Sequence, residues 1–212
     1  MLSEMIATAI PPAAFAEISF EEFLAQLDRA EPELRAEWVD RRLEVMSPVS
    51  RMHQQLSGWL YILLHTFARR RQLGEVLQAP FLMRLHQSDQ AREPDLAFVR
   101  AANQDRIQPT YLDGPADLVV EIISPESVHR DRGRKFMEYE AEGIGEYWLI
   151  DPIRRQAEFY RLGEDGYYHQ VLPDEDGRFH SASVEGFWLQ TDWLWQSPLP
   201  DELEILHQLQ IV

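Results

Sequence analysis

Glu121 stands in the stretch Leu118-Val119-Val120-Glu121-Ile122-Ile123, where every neighbour is apolar and branched. A carboxylate in such surroundings loses several kcal/mol of hydration unless a cation or hydrogen-bond donors meet it. Something positive must therefore lie opposite. Upstream, Pro94-Asp95 opens a second apolar stretch, Leu96-Ala97-Phe98-Val99, and proline can begin a strand without removing a ladder hydrogen bond. If the two stretches are neighbouring strands, Asp95 and Glu121 converge on one end of a sheet. Two hard carboxylates in a chain without cysteine suit Mg²⁺ or Mn²⁺, which keep several waters and take further ligands from phosphate. Such an ion polarises a phosphodiester and supplies a nucleophilic water.

Among the 20 Lys and Arg residues a single lysine appears, Lys135. Its ammonium is compact and can lose a proton, whereas a guanidinium stays charged. Lys135 falls on the first turns of the helix predicted after the Glu121 strand, and a helix folded back on its strand brings the two together. There an ammonium can orient or deprotonate the attacking water, or stabilise charge developing on phosphorus. Each residue also has an ordinary structural use. Asp95 can cap a turn, Glu121 can pair with an arginine, and Lys135 can lie solvated near Glu138.

The elements that must position these groups follow from spacing. Ser19 and Glu22 form a capping box ahead of Phe20, Phe23, Leu24 and Leu27, which repeat at helical intervals. Glu37-Trp38-Val39 and Leu43-Glu44-Val45-Met46 flank Asp40-Arg41 as a hairpin. A long amphipathic helix is predicted from about Ser50 to Leu73, ending in Arg69-Arg70-Arg71 with Gly74 as its stop. Strands are expected near 75–85 and 95–100, with a loop over 101–116. The run around Glu121 reads as a strand covered on both faces. A helix over 131–142 closes at Gly143, a strand follows at 146–151, and a meander at 156–162 and 167–172 is joined by Gly163-Glu164-Asp165-Gly166. Phe187, Trp188, Trp193 and Trp195 read as core or dimer packing rather than base-stacking platforms, which sit among Lys and Arg. A short acidic helix begins near Asp201.

A chain of 212 residues with 45% hydrophobic content can fill one core. We expect a single domain over 18–212 behind a flexible arm over 1–17. No stretch of about 18 apolar residues is present to span a bilayer and the first residues lack a basic leader, so an intracellular, cytoplasmic protein with no membrane partner is expected. A net charge of −16 opposes loose binding to phosphate backbones, so any nucleic-acid site must be a local basic cleft.

As a set, EPDLAFV and DLVVEIISPESVHRDRGRKFMEYEAEGIGEYWLIDP resemble the restriction-endonuclease-like family of bacterial proteins within the PD-(D/E)xK nuclease superfamily. EWVDRRLEVMSPVSRMHQQL resembles the same family's N-terminal signature, and the likeness runs from about Glu37 to Tyr160. It implies an α/β (α+β) fold with a central mixed β-sheet flanked by helices, and it makes Asp95 and Glu121 the metal-binding acids and Lys135 the catalytic lysine. In the superfamily pattern the lysine sits two residues after the acid, a position occupied here by Ile123. The family supplies it from the next helix instead, which matches Lys135. Glu37 and His53 fall on positions that line the family's site, although a histidine beside Leu56 and Leu60 is also a common core residue. Asp40-Arg41 departs from the family's Asp-Gly turn and strains any turn needing positive φ.

The resemblance implies a Mg²⁺- or Mn²⁺-dependent endonuclease acting on phosphodiester bonds of DNA. Two other readings stand beside it: a catalytically idle binding or scaffold protein, supported by the −16 charge, and a small-molecule phosphohydrolase. Arg130, Arg132, Arg134, Arg154 and Arg155 offer a basic rim, and a homodimer could join two rims into one groove.

Overall fold

The architecture, taken from a computed structural model that describes residues 17–30 and 34–211, is built from two main sheets that share an apolar cluster. The expected arm, residues 1–17, lies outside the described residues apart from Glu17. Helix α1 (Phe20–Arg29) begins at Ser19 with the expected capping box, the Ser19 hydroxyl and the Glu22 carboxylate each receiving the other residue's backbone N–H. Strands β1 (Ala36–Val39) and β2 (Arg42–Val45) form the hairpin. Its turn keeps positive φ at both Asp40 (49°) and Arg41 (61°), so the strain expected of a non-glycine residue is present.

Helix α2 (Arg51–Arg70) is capped by the Ser50 side chain on the His53 N–H. It stops before Gly74: Gln72 takes the left-handed conformation (φ 56°), while Gly74 opens β3 (Gly74–Gln78). A Cβ at Gly74 would come 2.1 Å from the Val99 carbonyl oxygen, so this glycine is kept for close strand approach. The stretch 75–85, expected as one strand, is two. β3 leaves its sheet at Ala79-Pro80, and β4 (Leu82–Leu85) joins the other sheet. A short strand, β5 (Gln90–Arg92), forms between the two expected strands, with its polar side chains buried rather than solvated. β6 (Leu96–Arg100) follows, and the loop expected over 101–116 contains a 3₁₀ turn (Ala101–Arg106) and β7 (Tyr111–Asp113).

Beyond it come β8 (Leu118–Ile122), helix α3 (Lys135–Glu142) ending at left-handed Gly143, β9 (Glu146–Asp151), β10 (Gln156–Leu162) and β11 (Tyr168–Val171). β12 (Arg178–His180) and β13 (Trp188–Gln190) form a small separate pair, and α4 (Glu202–Gln208) is capped by Asp201. The larger sheet runs β11-β10-β9-β8-β6-β3, with β8 and β9 parallel and its other pairs antiparallel. The smaller runs β2-β1-β5-β4-β7, with β4 and β7 parallel. Both are mixed, as the α/β expectation required.

Strand alternation sends Leu118, Val120 and Ile122 to one face of β8, against Leu56, Leu60, Leu63 and Phe67 of α2. Val119 and Ile123 go to the other face, with Tyr139 of α3 and with Met83, Leu85 and Leu112 of the smaller sheet. Trp188, Trp193 and Trp195 pack against the first of these clusters, in keeping with the core-packing expectation.

Candidate active site

The same alternation decides where Glu121 points. Lying between Val120 and Ile122, it shares the face of Val119, so it is directed between the sheets towards α3 and is 4% exposed. β6 and β8 are hydrogen-bonded neighbours with Leu96 opposite Val120, and Asp95 is the next residue along. Its Oδ2 accepts the N–H of Ile122 at 2.7 Å. The strand adjacency needed to bring Asp95 and Glu121 to one sheet end is therefore met. His53, on the first turn of α2, places Nε2 3.0 Å from the same Asp95 oxygen. Its Nδ1 is buried without a hydrogen-bond partner.

Lys135 reaches Glu121 from α3, as the folded-back helix required. A π-turn (Arg130–Arg134) leads into this helix, and the N–H of Lys135 bonds back to the Arg130 carbonyl. Lys135 and Tyr139, one turn apart and so on one helical face, both donate to Oε1 of Glu121, each at 2.8 Å. The ammonium also stands 3.1 Å from Oε1 of Glu37 and 3.9 Å from Oδ1 of Asp131. Lys135 is 1% exposed and Glu37 fully buried, so a solvated lysine is not what the fold contains. All five residues singled out in the sequence (Glu37, His53, Asp95, Glu121 and Lys135) come together.

Other members escaped the sequence reading. Asp131 is 1% exposed, and its Oδ1 has no hydrogen-bond partner. Arg92 on β5 is fully buried between Glu37 and Glu138. The i,i+4 pairing of Asp131 with Lys135 was the available signal for the first. The Arg-Glu-Pro-Asp run 92–95 placed Arg92 near Asp95 but gave no hint that its side chain turns inward.

Charge in this cluster is unbalanced. Five acids, Glu37, Asp95, Glu121, Asp131 and Glu138, are buried beside two buried cations, Arg92 and Lys135, with half-buried Arg130 at 3.7 Å from Asp131. Burial drives the Glu121 carboxyl upward, Lys135 pulls it down, and Asp131 and Asp95 push it up again, so it ends well above the usual carboxylate range. Burial likewise raises Asp131 against the pull of Lys135. Glu37 behaves oppositely: burial would raise it, but Lys135 and Arg92 outweigh that and hold its carboxyl down at about 2. Burial disfavours the Lys135 ammonium, yet Glu121, Glu37 and Asp131 keep it protonated well above the ordinary lysine value.

His53, Asp95, Glu121, Asp131 and Lys135 line a polar cleft of about 210 Å³, together with Arg35, Glu93, Ser124, Ser127 and Arg130. Among the described residues no three His, Asp or Glu side chains are drawn together as a ready-made cation cage. The unpartnered Asp131 oxygen, the surplus of buried negative charge and the all-oxygen donors fit a hydrated Mg²⁺ or Mn²⁺ held by Asp95 and Glu121. The arginines expected as a basic rim are mostly engaged. Arg132 pairs with Glu158 and Asp151, Arg134 with Asp40 and Glu138, and Arg154 with Asp151.

The model of the Uma2 family, described as "Putative restriction endonuclease", matches residues 20–192. Among solved structures, an Anabaena variabilis chain described as "a putative nuclease belonging to DUF820" is similar at 16% identity with a TM-score of 0.69, covering 84% of this chain and 97% of that one. That likeness concerns the fold. No curated protein matches, and among the described residues no helix is long and apolar enough to cross a membrane.

Proposed function

We propose that this chain, which belongs to the Uma2 family, is a nuclease that hydrolyses phosphodiester bonds of DNA with a divalent metal held at Asp95 and Glu121. The observation that carries the reading is the buried surplus of carboxylates beside Lys135 at the open end of the larger sheet. A site of that charge is costly unless a cation is bound. Mg²⁺ or Mn²⁺ would supply Lewis acidity at the phosphoryl group.

The chain's own residues do the rest. With one oxygen engaged by the Ile122 N–H and by His53, Asp95 has its rotamer set and its second oxygen left for the cation. Glu121, gripped at Oε1 by Lys135 and Tyr139, is oriented in the same way. Lys135, kept protonated, serves as a fixed positive group that draws in a phosphate oxygen and stabilises its growing charge. While it holds its proton it cannot take one from water, so the general-base role is left to a carboxylate or to solvent. Residues 18–212 act as one domain in this reading, and a homodimer would set two clefts against one duplex.

Incubating the protein with plasmid, single-stranded and branched DNA in Mg²⁺, Mn²⁺ or EDTA tests the proposal. Metal-dependent cleavage lost in Glu121→Ala supports it, and no cleavage of any substrate would sink it. The idle-scaffold reading draws its support from the −16 charge and from Arg132, Arg134 and Arg154 being tied to acids. A DNA affinity that does not change with salt would favour it.

A further inference from the structure

Glu37 and Lys135 meet inside the protein, and the group that holds them there is Arg92 at the end of β5. Its Nε and Nη2 donate to the two carboxylate oxygens of Glu138, each at 2.7 Å. Its Nη1 donates to Oε2 of Glu37 at 2.8 Å. The other Glu37 oxygen accepts the Glu93 N–H at 3.1 Å and lies 3.1 Å from the Lys135 ammonium. Charges therefore alternate along Glu138, Arg92, Glu37, Lys135 and Glu121. This line joins the smaller sheet, which carries Glu37 and Arg92, to Glu121 in the larger one.

Glu138 stands on α3 one turn beyond Lys135. One guanidinium thus grips both the helix that carries the lysine and the carboxylate that receives its ammonium. The planar fork serves three acceptors in fixed directions, which a point charge cannot do. Its effect falls on a competition: Lys135 is shared between Glu37 and Glu121, and an untethered Glu37 could swing and draw the ammonium away from Glu121. With Oε2 pinned by Arg92 and Oε1 by the Glu93 N–H, Glu37 holds still.

We propose that Arg92 is a positioning residue which, through Glu37 and Glu138, fixes the Lys135 ammonium at Glu121. Its consequence for turnover rests on the nuclease reading, but the ammonium's position is observable without catalysis. Because the chain has one lysine, protein grown on ¹⁵N-lysine shows a single side-chain Nζ signal. In the wild type we expect one sharp, exchange-protected ammonium cross-peak. Arg92→Met, and Arg92→Met/Glu138→Gln, which removes the stranded Glu138 charge and so preserves folding, should shift and broaden that peak. Glu37→Gln should do the same, and combining it with Arg92→Met should add little. If the wild type cleaves DNA, kcat should fall about ten-fold or more with KM little changed. A folded double variant with an unmoved Lys135 signal overturns the proposal. So does failure of all these variants to fold, which would assign Arg92 to stability alone. A wild type without cleavage removes the nuclease reading and leaves the Nζ signal to decide the role of Arg92.

Discussion

The Lys135 ammonium lies 2.8 Å from Oε1 of Glu121 in a site where the lysine is 1% exposed. An ammonium enclosed this tightly has no room for a guanidinium, and its removal leaves Glu121 without its cation, Glu37 with Arg92 alone and Asp131 with Arg130 alone. Lys135→Ala should therefore lower DNA cleavage by about 100-fold or more and cost on the order of 3–5 kcal/mol of stability. Lys135→Arg should rescue neither. Plasmid cleavage and urea unfolding check this; full activity in Lys135→Ala would remove Lys135 from the mechanism.

Glu121→Gln should separate function from stability. Burial and the neighbouring Asp131 and Asp95 already oppose its charge, so the neutral amide relieves repulsion while keeping the volume. In EDTA the variant should melt no lower than the wild type. The rise in Tm that Mg²⁺ or Mn²⁺ gives the wild type, expected from binding to the folded state alone, should vanish. Differential scanning fluorimetry with and without metal measures both, and an unchanged metal-induced shift would remove Glu121 from the ligand set.

His53 acts on Asp95, with Nε2 3.0 Å from the oxygen that also accepts the Ile122 N–H. Partners that orient a ligating carboxylate typically contribute about 10–100-fold to metal affinity. His53→Ala should weaken Mn²⁺ binding by that factor, read by calorimetry, and leave the fold intact because His53 stands at the cleft edge of α2. Unchanged affinity would return His53 to the role of a core histidine.

What was legible in the sequence followed from contrast. Glu121 stood out because its neighbours are all apolar, Lys135 because every other basic residue is arginine, and Asp95 because proline marks its strand's start. A continuous apolar run of strand length then gave the central strand, capping chemistry gave the start of α1, and helical apolar spacing gave α2. The smaller sheet was illegible for physical reasons. β5 reads Gln-Ala-Arg, which looks like solvated turn, yet all three residues are buried because Arg92 finds Glu37 and Glu138. Those partners lie far away along the chain, and no local periodicity encodes such a pairing. The run 75–85 looked continuous because both halves carry apolar residues, and only Pro80 signals that they serve different sheets.

The hairpin turn offers a stability test away from the site. Arg41 holds φ at 61°, a conformation costing a non-glycine residue roughly 1–2 kcal/mol. Glycine removes that strain but adds freedom to the unfolded chain, an offset of roughly 0.4–1 kcal/mol. Arg41→Gly should therefore stabilise by about 1 kcal/mol, raising Tm by roughly 2–4 °C. Asp40, which tolerates positive φ and bonds Gln90, should be left in place. A lower Tm would mean that the exposed contact of Arg41 with Glu17 outweighs backbone strain.

Glu37 sets the acid limit of the fold. Its carboxyl is held at about 2, against an ordinary value of 4.5, because Lys135 and Arg92 outweigh the effect of burial. The unfolded chain therefore takes up this proton more readily than the folded one. The contribution of Glu37 is complete above about pH 4.5 and is lost as the pH falls through about 2. Its size is on the order of 3 kcal/mol. Glu37→Gln should be less stable than the wild type at pH 6, and the gap should close steadily between pH 4.5 and 2 as wild-type Glu37 is protonated. Urea unfolding of both proteins at stepped pH measures the gap. A gap independent of pH would mean that Glu37 contributes by shape and hydrogen bonding, and that its charge is not what holds Lys135 and Arg92 in register.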